Sequence, residues 1–299
     1  AADITADNGT LAAMSSADNI TWTGTFTPTA NTEDASNTLS LATSYTDTAG
    51  NAGPVATTEN YAVETLAPTV NSVAISSASG VQNSLLNAGD NVSVTATFSE
   101  SVIVDNASGT PTLTLVVGSD NRTSTYTSGS GSTPLVFQYT IQAGETDADG
   151  ISIEANTLAL NSGTIRDAAG NNATITYSSV SANTSYKVDN TAPSVDNFTL
   201  SDTALKAGDT ATVTLRFSEA VVSFSSAADI TADNGTLAAM SSADNITWTG
   251  TFTPTANTED ASNTLSLATS YTDTAGNAGP AATTANYAVE TLAPSVDNF

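Results

Sequence analysis

The chain has 299 residues, with 5 Lys and Arg against 30 Asp and Glu, a net charge of −25. So little basic surface excludes nucleic-acid backbones as partners and argues against anionic membranes, and no apolar run approaches the ~18 residues that would span a bilayer. Cys and His are both absent, which removes disulfide staples, the commonest general base and the commonest transition-metal ligand.

From its first residue the chain reads as part of a repeat. Residues 1–68 recur at an offset of 226 with two differences, Val55/Ala281 and Glu59/Ala285. Three similar junctions mark boundaries: Glu64-Thr-Leu-Ala-Pro68, Asp189-Asn-Thr-Ala-Pro193 and Glu290-Thr-Leu-Ala-Pro294. Their prolines lie 125 and then 101 residues apart. This spacing predicts alternating longer and shorter domains, with residues 1–66 the C-terminal part of an incomplete shorter one. A longer domain then covers 67–191, a complete shorter one 192–292, and residues 293–299 start the next repeat. Tandem copying with so little drift suits a stalk, filament or adhesin better than an active site.

The predicted strands have period 2. Val92, Val94 and Phe98 alternate with polar residues, as do Leu113, Leu115 and Val117, and Leu135, Phe137, Tyr139 and Ile141. In the shorter domain Val213, Leu215 and Phe217 share a face, as do Ile246, Trp248 and Phe252, and Leu265, Leu267 and Tyr271 continue the pattern. Trp22 holds the same repeat position as Trp248, so both read as core. Thr, β-branched and polar, suits the wet faces. Turn signals such as Asn8-Gly9, Ala88-Gly89-Asp90, Asp149-Gly150 and Ala207-Gly208-Asp209 separate the strands, and no helix is expected. The fold class is therefore all-β: antiparallel β-sandwiches in tandem, joined end to end.

Asp outnumbers Glu by 21 to 9, and short carboxylates suit both turns and Ca²⁺ coordination. One recurring motif is Asp-x-Ala-Gly-Asn, at Asp47–Asn51, Asp167–Asn171 and Asp273–Asn277. It reads either as a tight turn or as part of a Ca²⁺ cage built from the Asp carboxylate and the Asn carbonyl. A single motif cannot supply the six to eight oxygens of Ca²⁺, so other segments must converge. Glu64, Asp189 and Glu290 in the junctions and Asp90 and Asp209 in the Ala-Gly-Asp turns are the candidates. The loop before a sandwich's last strand lies at the end opposite that strand's exit. The expected inter-domain site therefore joins one domain's exit linker, such as Asp189, to the next domain's motif, such as Asp273. Glu145, Asp147 and Asp149, at alternate positions before Gly150, open like an EF-hand loop. Position 12 of that loop is Asn156 and no helices flank it, so it reads either as a Ca²⁺ loop or as an acidic hairpin turn. Glu100 and Glu219, each after Phe-Ser at a strand end, read either as ligands or as solvated strand ends, the latter preferred. For catalysis, a Ser–Lys pair would have to use Lys187 or Lys206, the two lysines, and nothing marks a cleft. The chain is read as non-enzymatic.

Phe217-Ser-Glu-Ala-Val221, Ala228-Asp-Ile230, Asn234-Gly-Thr-Leu237, Trp248, Phe252-Thr-Pro254 and Asp273-Thr-Ala-Gly-Asn277 resemble the bacterial Ig-like repeats of giant surface adhesins, the biofilm-associated and RTX-type proteins among them. Gly144–Ile151 and Gly163–Asn171 resemble a companion repeat of similar proteins. The resemblance implies an extracellular, cell-surface extender whose linkers Ca²⁺ stiffens, with Asp47, Asp167 and Asp273 as ligands. Its partners would be neighbouring repeats of the same chain or filament, with a host or biofilm surface reached through other regions. A second reading is an adhesive module that contacts a glycan or a cell through its Thr-rich sheet faces.

Overall fold

The structure, a computed structural model, describes residues 2–296. It is β-rich throughout, in keeping with the alternating apolar pattern, and its strands gather around two separate cores.

The first core belongs to the strands between Val70 and Asp189. The fifteen-residue strand Asn91–Asp105 organises it. One long stretch of that strand pairs antiparallel with both Ser132–Thr140 and Val70–Ser79, and its end pairs with Thr164–Arg166. Asp120–Ser128 and Thr112–Val117 extend the sheet beyond Ser132–Thr140. A smaller sheet of Thr146–Asp147, Lys187–Asp189 and Leu85–Leu86 faces the domain end. The inward residues read from the sequence are inward here: Val92, Val94, Phe98, Leu113, Leu115, Leu135 and Phe137 are essentially inaccessible, whereas Tyr139 is half-buried.

The second core lies between Val195 and Glu290. Its main sheet orders Val195–Leu200, Ala211–Phe217, Thr247–Pro254 and Gly235–Leu237. Three further groups close it: Ala204–Lys206 with Tyr287–Glu290 and Glu259–Asn263, Ile230–Ala232 with Leu265–Leu267 and Ala282–Thr283, and the pair Val221–Val222 with Thr272–Asp273. Val213, Leu215, Phe217, Phe252, Leu265, Tyr271 and Tyr287 fill the interior. The aromatic cluster is ordered by edge contacts, such as Phe224 against Trp248 at 4.8 Å between centroids, a geometry the ring quadrupoles favour.

Two details differ from the sequence expectation. The strand pairing is antiparallel except for a short parallel contact near the start and end of each complete unit, Leu85–Leu86 with Lys187–Asp189 and Ala204–Lys206 with Tyr287–Glu290, and an isolated parallel bridge joins Thr69 to Thr174. Parallel pairing ties each early strand to its last one and closes the sandwich end. A single helical turn, Ser226–Asp229, also appears where no helix was expected. Four residues are too few to show helical periodicity.

Residues 2–66 repeat the strand pattern of the second unit without its interior. Of these residues only Asn37 and Val63 are buried. Trp22, expected in the core, is 53 % exposed. Its counterpart Trp248 in the second unit packs edge-on against Phe224. Residues 293–299 read Ala-Pro-Ser-Val-Asp-Asn-Phe, identical to 192–198 rather than to 67–73. Residues 297–299 lie outside the described residues.

Candidate metal centre at the junctions

Each junction is built around the Asp-x-Ala-Gly-Asn turn. In the second unit, one carboxylate oxygen of Asp273 accepts the backbone N–H groups of Ala275 (2.8 Å) and Asn277 (2.9 Å), and the other accepts the Asn277 amide at 2.8 Å. Gly276 sits at φ +94°, a conformation Gly adopts without steric cost. Asp167 and Asn171 repeat the arrangement, as do Asp47 and Asn51. The motif is therefore a self-bonded turn, and at two of its three positions it also reaches another segment. The Asn277 amide donates to the backbone carbonyl of Asp189 at 2.9 Å, and the Asn171 amide to that of Glu64 at 3.2 Å. Asn here acts as an amide donor that grips the linker, where the sequence had suggested its carbonyl as a ligand.

The Phe-Ser-Glu strand ends supply the second wall. Phe98 and Phe217 are core residues. The following Ser clamps the linker in both units: Ser218 N–H donates to Ser194 O and Ser194 N–H to Ser218 Oγ, each at 2.9 Å. Ser99 and Thr69 make the same reciprocal pair. The clamp aims the next residue, Glu219 or Glu100, at the junction.

Asp189, Glu219 and Asp273 thereby converge, each placing a carboxylate oxygen within 4.8 Å of the others. Asp273 is buried and the other two are half-buried. Burial, then the charges of Asp273 and Asp189, push the Glu219 carboxyl above its ordinary value. Glu100 is raised likewise, by burial and then by Asp167, Glu64 and Glu33. At Asp167 burial acts upward, but the bonds from Asn171 and Gly170 outweigh it and hold the carboxyl below its ordinary value. The ion pairs among the described residues are Arg122 with Asp120 and Glu145, and Arg216 with Asp196, so none relieves this repulsion. The donor set is all hard oxygen. Three carboxylates offer up to six oxygens, which matches Ca²⁺ and gives a soft metal nothing to prefer.

The junction after the longer unit has further contacts. Asn83 and Asn87 donate their amides to the carbonyls of Thr274 and Ala275, both at 2.9 Å. Asn190 accepts Ala88 N–H and donates to Gln142 O and Glu145 O, locking the exit linker to its own unit.

The structure brings Asp189 together with Asp273, and places Glu64 and Asp167 each near enough to Glu100 for its charge to act there. The remaining sequence candidates stay apart. Asp90 and Asp209 accept backbone N–H groups within their own turns, from Asn87 and Lys206. Glu145 binds Arg122, Tyr139 and the Gln142 N–H. Asp147 takes the N–H groups of Gly118 and Gly150, and Asp149 is exposed. Within the EF-hand-like spacing, Glu145 is thus ion-paired and Asp147 is hydrogen-bonded. Asp47 and Asn51 bond each other within an exposed turn, and Glu290 is exposed. Glu100 and Glu219 are the acids for which the sequence reading preferred a solvated strand end over a ligand, and Phe-Ser-Glu recurring beside the linkers at 64–68 and 189–193 was the available signal.

A family model for the bacterial Ig-like domain matches residues 1–63 and 189–289, more than half of the chain. The chain belongs to the bacterial Ig-like domain family. Residues 64–188 lie outside the matched stretches. Among solved structures, the chain is similar to FdeC, described as a broadly conserved Escherichia coli adhesin, with 13 % identity and a TM-score of 0.36 over 96 % of this chain and 84 % of that one. No curated protein sequence matches the chain. Among the described residues, no helix is long and apolar enough to cross a membrane.

Proposed function

We propose that this Ig-like chain is a structural extender of a bacterial surface adhesin or extracellular filament, and that Ca²⁺ stiffens its junctions. The carrying observation is the convergence of Asp189 from one unit's exit with Glu219 and Asp273 from the next. Three like charges held together across a linker repel one another, and a divalent cation turns that repulsion into a cross-link. Asn277 and the Ser194–Ser218 clamp supply the cation-independent part of the joint. Membership of the Ig-like family supports a non-enzymatic, cell-surface setting, and the units would work as spacers between neighbouring repeats.

Calorimetric titration of the full chain with Ca²⁺ tests this reading. The expected result is saturable binding that loses one site in the double variant Asp189→Asn/Glu219→Gln. Heats indistinguishable from dilution, or an unchanged site count in the variant, would remove calcium from the account.

A further inference from the structure

The longer unit carries a stretch that the shorter unit lacks, and it forms one wall of a cleft. Fifteen positions separate Asn171, at the end of the Asp-x-Ala-Gly-Asn turn, from Tyr186 beside the last strand, against ten between Asn277 and Tyr287. The stretch first bonds the unit's opening strand: Thr174 N–H donates to Pro68 O at 2.7 Å and Val70 N–H to Thr174 O at 3.3 Å. By Val180 it has moved over to Ile153, with which it exchanges N–H bonds at 2.8 and 3.0 Å. Between these ties it parts from the strand Val70–Ser79 and leaves a cleft of about 590 Å³, lined by Asn71, Ser72, Asn156, Tyr177, Ser178 and Ser179, among others.

The cleft has a distinct chemistry. None of its lining residues is charged, in a chain of net charge −25. Strand Val70–Ser79 is bulged here: Val70 faces Phe98 and Ser72 faces Thr97, so Asn71 is the extra residue. The bulge leaves two consecutive exposed side chains, Asn71 and Ser72, at the cleft. The shorter unit has the same bulge, but its extra residue is Asp196, ion-paired with Arg216 at 3.5 Å. On the far wall Tyr177 is fixed. Its hydroxyl shares a 2.6 Å hydrogen bond with that of Thr157, and its N–H donates at 2.8 Å to Asn156, which sits at φ +61°. Among the described residues, the side chains of Asn71, Ser72, Ser178 and Ser179 have no hydrogen-bond partner.

We propose that this cleft binds a neutral saccharide, with Asn71 and Ser72 on one wall and Ser178 and Ser179 on the other bonding its hydroxyl groups. The volume is that of a small-ligand site. Unpaired amides and hydroxyls suit a ligand rich in hydroxyls. The lining offers no cation to a phosphate or carboxylate and no carboxylate to an amine. A peptide strand added along Val70–Ser79 is the competing occupant. The strand is bulged twice, at Asn71 and at Ser76, and bulges interrupt the regular edge that an added strand needs. The site uses none of the junction carboxylates and does not depend on calcium.

The test applies the full chain, in chelator, to an array of neutral and acidic oligosaccharides and measures the strongest binder by calorimetry. The expected result is saturable binding of a neutral oligosaccharide, with acidic ones weaker because the chain's net charge repels them. Asn71→Ala and Ser178→Ala should each weaken it roughly two- to tenfold, the worth of one hydrogen bond. Both variants should keep the melting temperature of the unsubstituted chain, since neither side chain bonds the rest of the molecule. Absence of saturable binding to any neutral oligosaccharide, unchanged affinity in both variants, or equal affinity for acidic oligosaccharides would each overturn the proposal. So would stoichiometric binding of a synthetic peptide of residues 70–79 in place of any saccharide, which would assign the cleft to strand addition.

Discussion

Phe26 and Phe252 stand in identical local sequence, so substituting each by Ala isolates what burial contributes. Phe252 is fully buried and Phe26 half-buried, yet each makes the same edge contact with its tyrosine. Removing a fully buried Phe side chain costs about 3–5 kcal/mol, from lost transfer energy plus the cavity left behind. At roughly 4 °C per kcal/mol for a domain of this size, Phe252→Ala should lower the melting temperature of the shorter unit by about 12 °C or more. At Phe26 the ring is already partly open to solvent, so no closed cavity forms and the cost should be under about half as large. Differential scanning calorimetry of the full chain and the two variants reads this directly. Phe252→Ala should pull one transition down strongly, and Phe26→Ala should leave the two main transitions in place. Equal shifts would show that residues 1–66 are packed as tightly as 227–292 and would refute the difference in burial.

Other outcomes follow from the same structure. Asn277→Ala removes the amide bonds to Asp189 O and to the Asp273 carboxylate and should cost about 1–3 kcal/mol by urea unfolding. Asn51→Ala, in a turn that grips no linker among the described residues, should cost clearly less. A pH series in chelator probes the raised Glu100 and Glu219 carboxyls. A raised folded value means their stabilising contribution is complete below the ordinary Glu value of 4.5 and is lost as pH rises through the folded value. Unfolding temperature should therefore rise as pH falls from neutral toward the upper carboxylate range. The Glu100→Gln/Glu219→Gln variant should flatten that rise, and an unchanged pH profile would count against the junction electrostatics.

Alternation made the cores legible in the sequence, because Val, Leu and Phe at every second position could pack only one way. The meeting of Asp189 with Asp273 was legible too, since strand direction fixes which loops share an end. Glu219 was not, because a Glu at a strand end looks the same whether it is solvated or clamped toward a linker by the preceding Ser218. The partners of Glu145 and Asp147 were not legible in their spacing. Arg122 and the Gly118 N–H come from elsewhere in the fold and, with the loop's own Gly150 N–H, occupy these two carboxylates. Trp22 has the pattern of a core residue, and its exposure is not legible in its own neighbourhood, which repeats that of Trp248.

The central claim is that a cation turns junction repulsion into cohesion, and the melting temperature of Glu219→Gln relative to the unsubstituted chain tests it most directly. In chelator, Glu219→Gln removes a raised, repelled carboxylate and should melt higher. In millimolar Ca²⁺ it removes a ligand and should melt lower, so the difference changes sign. A difference of the same sign in both conditions would contradict a calcium-bridged junction.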